Sequence, residues 1–199
     1  MTMQQIAIIV FSYFLGSVSF GYMIGHLSGK DVRKVGSGNI GATNVMRAVG
    51  KTAGIVTLVL DTAKGYVAVF LGEQFSGPDS SLPLICGIAA LLGHCFPVLL
   101  KFRGGKGVAT ALGVFLRLTP FYAIFGLGAF LIVVAITRFV SAGSMAAAAT
   151  MPIALWIGGY SSVRALLAAA IAALIIGKHH KNIARLARGE ENKLGARRV

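Results

Sequence analysis

Apolar runs long enough to cross a bilayer recur along this chain, and no other feature restricts its fold as much. A helix needs about 20 mostly apolar residues to cover roughly 30 Å of hydrocarbon. Residues 4–27, 53–71, 82–100, 108–118, 121–137, 144–157 and 163–176 approach or reach that length. With 56% hydrophobic and 13% charged residues, the chain has too little polar surface for a small soluble domain. Open strands would leave backbone groups unpaired in lipid, so the spans are expected to be helices. The first has no basic leader and no small-residue cleavage signal, and is expected to stay in the mature protein. The sequence thus predicts an all-α polytopic membrane protein, a single integral-membrane domain over 1–199 with seven transmembrane helices. Segment 108–118 is short, about 16 Å of helix. Pro120 and Gly158-Gly159 are the turns that keep 108–137 and 144–176 from being one long crossing each, which would give five.

Charge sets the orientation. Of the 19 Lys and Arg, five lie between the first two spans (Lys30, Arg33, Lys34, Arg47, Lys51), three follow the third (Lys101, Arg103, Lys106) and seven occupy the tail after Ile176. Arg138 joins that side in the seven-span reading, while the opposite connections carry Arg117 and Arg164 beside Glu73 and Asp79. The positive-inside bias therefore places the N-terminus outside and the C-terminus in the cytoplasm. Topology and contact with anionic headgroups account for much of the net charge of +13, so no nucleic-acid partner is expected. The basic face would instead attract phosphorylated or acylated anions. Cys86 and Cys95 lie nine positions apart in one span, without metal-ligand spacing, and read as small core residues.

Polar information gathers in three segments on the predicted cytoplasmic side. The first is Gly36-Ser37-Gly38-Asn39-Ile40-Gly41-Ala42-Thr43-Asn44, ending in Arg47. Its glycines permit turns that expose N–H groups, Ser37, Asn39, Thr43 and Asn44 supply uncharged donors, and Arg47 adds a forked cation, a chemistry suited to an anion. In the second, Gly93-His94-Cys95-Phe96-Pro97 precedes Lys101-Phe102-Arg103-Gly104-Gly105-Lys106-Gly107. Lys106, enclosed by glycines just before a new helix, can share a phosphate with that helix's first N–H groups. Lys101 and Arg103 suit headgroup anchoring better. The third segment, 178–193, lies in a cytoplasmic basic tail over 178–199 that is expected to contribute to the site: His179 and Asn182, three apart, would face one opening if it is helical, with Ile183 and Leu186 on its apolar side and Arg185 and Arg188 as anchors. A smaller polar group, Ser141 and Ser144 beside Arg138, interrupts the chain on the same side. Inside the second span Asp61 and Lys64, three apart, are expected to pair.

Several familiar spellings fail on context. Residues 36–41 match GxGxxG but follow a membrane span rather than a strand, which argues against a dinucleotide site. Gly105-Lys106-Gly107 lacks the Ser or Thr and the upstream glycine of a nucleotide phosphate loop. His26 and Asp31 have the HxxxxD spacing of a large family of glycerolipid acyltransferases that use a His-Asp pair, but lack that family's downstream acidic, glycine-rich element.

The patterns G-S-G-N-x-G-A-T-N with a following Arg (36–47), G-H-x-F-P with K-F-x-G-G-K-G-V-A-T (93–110), and the tail from His179 to Lys193 closely resemble the acyl-phosphate-dependent glycerol-3-phosphate acyltransferases of bacteria, the integral-membrane PlsY family. The likeness runs over the whole length. It implies a multi-pass enzyme of the bacterial cell membrane, the inner membrane in a Gram-negative cell, that moves a fatty acyl group from acyl phosphate to the 1-hydroxyl of glycerol 3-phosphate. Lysophosphatidic acid and phosphate would be the products, with the active site on the cytoplasmic side. By matching position it implies Ser37, Thr43, Arg47, Lys106, Ser144, His179 and Asn182 in the active site. Of these, Ser37, Lys106, His179 and Asn182 are the expected catalytic set. Gly38, Asn39, Gly41, Thr43, Asn44, Arg47, Gly104, Gly105, Gly107 and Ser144 would bind substrate and phosphate. No cofactor and no metal are expected, and the partners are the two substrates and membrane lipid. A monomer is expected, with transient docking of a soluble acyl-phosphate synthase.

Overall fold

Thr2 opens the first helix with a reciprocal cap: its hydroxyl accepts the Gln5 N–H at 3.2 Å, and the Gln5 side-chain oxygen accepts the Thr2 N–H at 3.0 Å. In the computed structural model, which describes residues 1–77 and 80–195, ten α-helices follow one another with no strand among the described residues. Asp79 and residues 196–199, counted above for their charge, lie outside the described residues. The chain forms two compact units, one ending at Leu118 and one beginning at Thr119.

The first unit contains α1 (Met3–Ser17), α2 (Phe20–Leu27), α3 (Ala42–Ala48), α4 (Lys51–Gln74), α5 (Leu82–Cys95) and α6 (Val108–Leu118), with single 3-10 turns at Val32–Lys34 and Val98–Leu100. The first expected span is therefore two helices. Val18 and Ser19 leave helical backbone angles, which frees carbonyls, and the Val18 carbonyl accepts Lys64 Nζ at 2.8 Å. A helix broken at membrane depth needs such a substitute partner. Glycines let the helices approach backbone to backbone: a Cβ on Gly16 of α1 would fall on the Ala90 carbonyl of α5, and one on Gly113 of α6 on the Thr62 carbonyl of α4. Asp61 and Lys64 pair at 2.8 Å, with residue exposures of 2% and 3%. Removing one partner of such a buried pair typically costs about 3–5 kcal/mol.

The second unit contains α7 (Pro120–Thr137), α8 (Val140–Ile157), α9 (Ser162–Lys178) and α10 (His180–Ala187). Pro120 occupies the start of α7, where its missing N–H costs nothing. Gly158 and Gly159 end α8, Gly159 with φ +76, and α8 packs against both α7 and α9. The two merged crossings of the five-span alternative are therefore absent as continuous helices. Ser141 and Ser144 do not interrupt the chain: α8 begins at Val140 and includes both, since each hydroxyl can bond without breaking the helix. Among the described residues, five stretches are long and apolar enough to cross a membrane: Met3–Leu27, Lys51–Gln74, Leu82–Leu100, Pro120–Thr137 and Val140–Ile157. Helix α6, with 11 residues, and α9, with 17, are shorter.

Candidate active site

The glycine-rich first loop is shaped by one amide. Asn44, 2% exposed on α3, accepts the Ser37 N–H at 2.9 Å and donates to the carbonyls of Val32, Val35 and Asn39 at 2.8, 3.0 and 2.8 Å. Gly36 and Gly38 sit at φ +62 and +70, and a Cβ on Gly36 would fall on the Asn44 amide oxygen. The loop is thus wrapped round Asn44, whose polar atoms are spent on backbone. Ser37, Gly38, Asn39, Gly41 and Thr43 remain half-buried at its rim, and Arg47 is exposed in the last turn of α3, its stem beside Gly36. Beneath lies an apolar cluster of Val32, Ile40, Val45 and Ala48. Leu100, from the turn that leads toward Lys106, packs on that same cluster. Lys30 closes the C-terminus of α3 by donating to the Ala48 carbonyl at 2.6 Å.

The second loop folds back on the end of α5. The Gly105 N–H donates to the His94 carbonyl at 3.0 Å, and the Phe102 N–H to the Pro97 carbonyl at 2.9 Å. A Cβ on Gly104 would fall on the His94 carbonyl, and one on Gly105 on the His94 ring. Gly107, at φ +84, accepts the Ala111 N–H at 2.8 Å and so starts α6. The N–H groups of the first turn of α6 therefore lie immediately beyond half-buried Lys106, without intrahelical acceptors. An ammonium beside free helix N–H groups is an arrangement suited to a phosphate. Lys101 and Arg103 are exposed.

In the second unit the tail is helical, and His179 and Asn182 are both buried, at 2% and 4% exposure. His179 Nδ1 lies 2.7 Å from the Ile175 carbonyl, so Nδ1 carries a hydrogen, which fixes the ring with Nε2 on its other side. Asn182 donates to Glu191 at 2.7 Å, Ser141 donates to the same carboxylate at 2.9 Å, and Arg185 pairs with it at 2.7 Å. Arg185 is thus an internal partner rather than a headgroup anchor. Burial raises the Glu191 pKa, but the bonds from Arg185, Asn182 and Ser141 outweigh it and hold the carboxyl below its ordinary value. Leu194 and Arg138 exchange two bonds, N–H to carbonyl at 2.7 Å and guanidinium to carbonyl at 2.8 Å, which ties the tail to the α7–α8 connection. Ser144 donates to the Val140 carbonyl at 2.8 Å, leaving its oxygen only an accepting role.

Sequence reasoning missed Glu191 as the hub of the tail and His94 as the floor of the second loop. The signal for Glu191 was a carboxylate among seven tail cations; for His94 it was a histidine at a helix end facing two consecutive glycines. His26 and Asp31 do not pair: His26 is exposed and stacks on Tyr22, and Asp31 binds Arg33, which lowers its pKa to about 2.

The family model described as glycerol-3-phosphate acyltransferase matches residues 6–189. A glycerol-3-phosphate acyltransferase of Trichlorobacter lovleyi is 46% identical over 93% of this chain and 95% of its own length, and that of Aquifex aeolicus is 41% identical over 96% and 100%. Two crystal structures of PlsY, an integral membrane glycerol 3-phosphate acyltransferase, superpose with TM-scores of 0.92 and 0.88 at 42% and 41% identity, each covering 96% of both chains. The first is its glycerol 3-phosphate form and the second its lysophosphatidic acid form.

Proposed function

Because the chain belongs to the glycerol-3-phosphate acyltransferase family, we propose that it transfers a fatty acyl group from acyl phosphate to the 1-hydroxyl of sn-glycerol 3-phosphate. The hydroxyl oxygen forms the new ester bond to the acyl carbon, the bond from that carbon to the phosphate oxygen breaks, and inorganic phosphate leaves carrying the hydroxyl proton. Lysophosphatidic acid is the other product. Acyl phosphate is a mixed anhydride with a good leaving group, so the protein's work is alignment and stabilisation of charge on oxygen. Neither a covalent acyl-enzyme nor a metal is part of this route.

The single observation that carries the reading is Lys106 set between two buried glycines at the start of α6. Its ammonium, the α6 N–H groups, Gly104, Gly105 and Gly107 take phosphate. The first loop, through Ser37, Gly38, Asn39, Gly41, Thr43 and Arg47, binds the second anionic head, and Asn44 holds that loop in shape. His179 Nε2 and Asn182 orient the acceptor hydroxyl, and the Ser144 oxygen accepts from substrate. The chain works as one acyltransferase domain and as a monomer in the bacterial cell membrane. Seven crossings, with the N-terminus outside and the site at the cytoplasmic face, agree with the charge bias and with the Arg138–Leu194 bond, which joins the α7–α8 connection to the tail after α9, as two crossings between them would allow. A soluble acyl-phosphate synthase delivers donor by transient docking.

Loss of one organised electrostatic donor costs roughly 3 kcal/mol, about a hundredfold in rate. Lys106→Ala should therefore nearly abolish turnover, and Lys106→Arg should fare little better, since a planar fork does not fit a turn built of glycines. Lys101→Ala, at an exposed position, should change the rate only modestly. Initial rates of folded, inserted variants decide: normal turnover in Lys106→Ala with loss in Lys101→Ala places the phosphate seat elsewhere.

A further inference from the structure

A cluster of an acid, an amine and an imidazole is buried in the first unit and has no place in the reaction just described. Asp61 and Lys64 lie on α4, and His94, 4% exposed, lies in the last turn of α5. Lys64 Nζ is 2.8 Å and His94 Nδ1 3.6 Å from the same Asp61 oxygen. Charges this deep in an apolar helical unit are expensive, and a role beyond packing is the usual reason they are kept. Their neighbours indicate which role. The edge of the His94 ring remote from Asp61 faces Gly105, where no Cβ has room, and the His94 carbonyl holds the Gly105 N–H. On the far side of Lys106, Thr110 in the first turn of α6 packs on Gly65, the residue after Lys64, so closely that a Cβ there would fall on the Thr110 carbonyl. The Gly104-Gly105 end of the turn thus rests on His94 of α5, which faces Asp61 of α4, and Thr110 beyond the turn rests on Gly65 of the same helix. Lys64 also donates to Val18 at the α1–α2 break, which anchors that stretch from a second direction.

We propose that Asp61, Lys64 and His94 are positioning residues for acyl transfer: the ion pair orients the His94 ring, the ring sets the Gly104-Gly105 backbone, and that backbone places the Lys106 ammonium on substrate phosphate. The proposal rests on the reading of Lys106 as a phosphate seat. It assigns the buried groups to geometry and not to proton transfer, since all three are enclosed by protein, at 2%, 3% and 4% exposure.

The test uses the purified full chain in detergent, with lysophosphatidic acid formation and glycerol 3-phosphate binding measured side by side. Asp61→Asn/Lys64→Met removes both charges together at similar volume, so no lone charge is left buried. His94→Gln keeps a polar group near Asp61 and removes the ring from Gly105. For variants that retain the wild-type melting temperature within a few degrees, kcat/KM for glycerol 3-phosphate should fall about tenfold or more. Binding should weaken no further when either change is combined with Lys106→Ala, because both act through the same ammonium. A purely structural ion pair would shift melting and leave the catalytic constants alone. Unchanged kcat/KM in folded variants, or losses that multiply with that of Lys106→Ala, overturns the proposal. If Asp61→Asn/Lys64→Met fails to insert, His94→Gln alone decides on the same criteria. Wild-type binding and turnover in Lys106→Ala itself would instead remove the phosphate seat on which the proposal stands.

Discussion

Asn44 offers two amide hydrogens to three backbone carbonyls and its oxygen to a fourth backbone group, so one side chain sets the path of eight residues around it. Leaving such buried groups unsatisfied costs about 1–3 kcal/mol each. Asn44→Ala should lower the melting temperature and raise the KM for glycerol 3-phosphate together. Asn44→Asp, close in shape, should do no better, because a carboxylate cannot donate to the carbonyls of Val32, Val35 and Asn39. Thermal melts and steady-state kinetics check this, and an Asn44→Asp enzyme with unchanged melting and KM would show that the loop is shaped by something else. The sequence marked Asn44 as polar and near glycines, which suggested ligand contact. Its turn toward the backbone was not legible, since the same residue types serve a loop's own carbonyls and a bound anion alike. The Asp61–Lys64 pair was legible from spacing alone, as two opposite charges three apart on a helix in apolar surroundings have little alternative.

At the scale of elements, the tail helix α10 and the start of α8 are joined through Glu191. A carboxyl held below its ordinary value in the folded state contributes stability that is complete above the unfolded value, 4.5 for Glu, and lost as pH falls through the lower folded value. The melting temperature of the wild type should therefore exceed that of Glu191→Gln by a constant margin at neutral pH, and the margin should close as pH falls below 4.5. A margin independent of pH down to about 3 would mean that the charge of Glu191 does not hold the tail. Helix existence was largely legible from the apolar runs, and the turns at Pro120 and Gly158-Gly159 from residue chemistry. The break at Val18–Ser19 was not, because neither residue is a helix breaker and its partner, Lys64, is 46 positions away in sequence. Ser141 and Ser144 misled for a related reason: hydroxyls that look like a loop can bond within or across helices, as Ser144 does to Val140 and Ser141 to Glu191.

For the whole molecule, orientation decides which compartment supplies the substrates, and the donor decides the chemistry. Cysteines introduced beside Arg47, Lys106, Arg138 and Lys193 should react with an impermeant label from the cytoplasm, and one beside Asp79 from outside. An outward-reactive Lys106 loop would refute the orientation, and an outward-reactive Arg138 would restore five crossings. Family and membrane class were legible because three short patterns of Gly, Asn, Lys and His cannot be explained by topology alone, whereas the way each pattern folds depends on contacts across the chain. Acylation of glycerol 3-phosphate from acyl phosphate is the proposed reaction. The direct measurement supplies purified protein with glycerol 3-phosphate and, separately, acyl phosphate, acyl-CoA or acyl carrier protein, without metal or nucleotide, and follows lysophosphatidic acid. Rapid product from acyl phosphate and little from the other two is the predicted result; equal or faster transfer from acyl-CoA would contradict it.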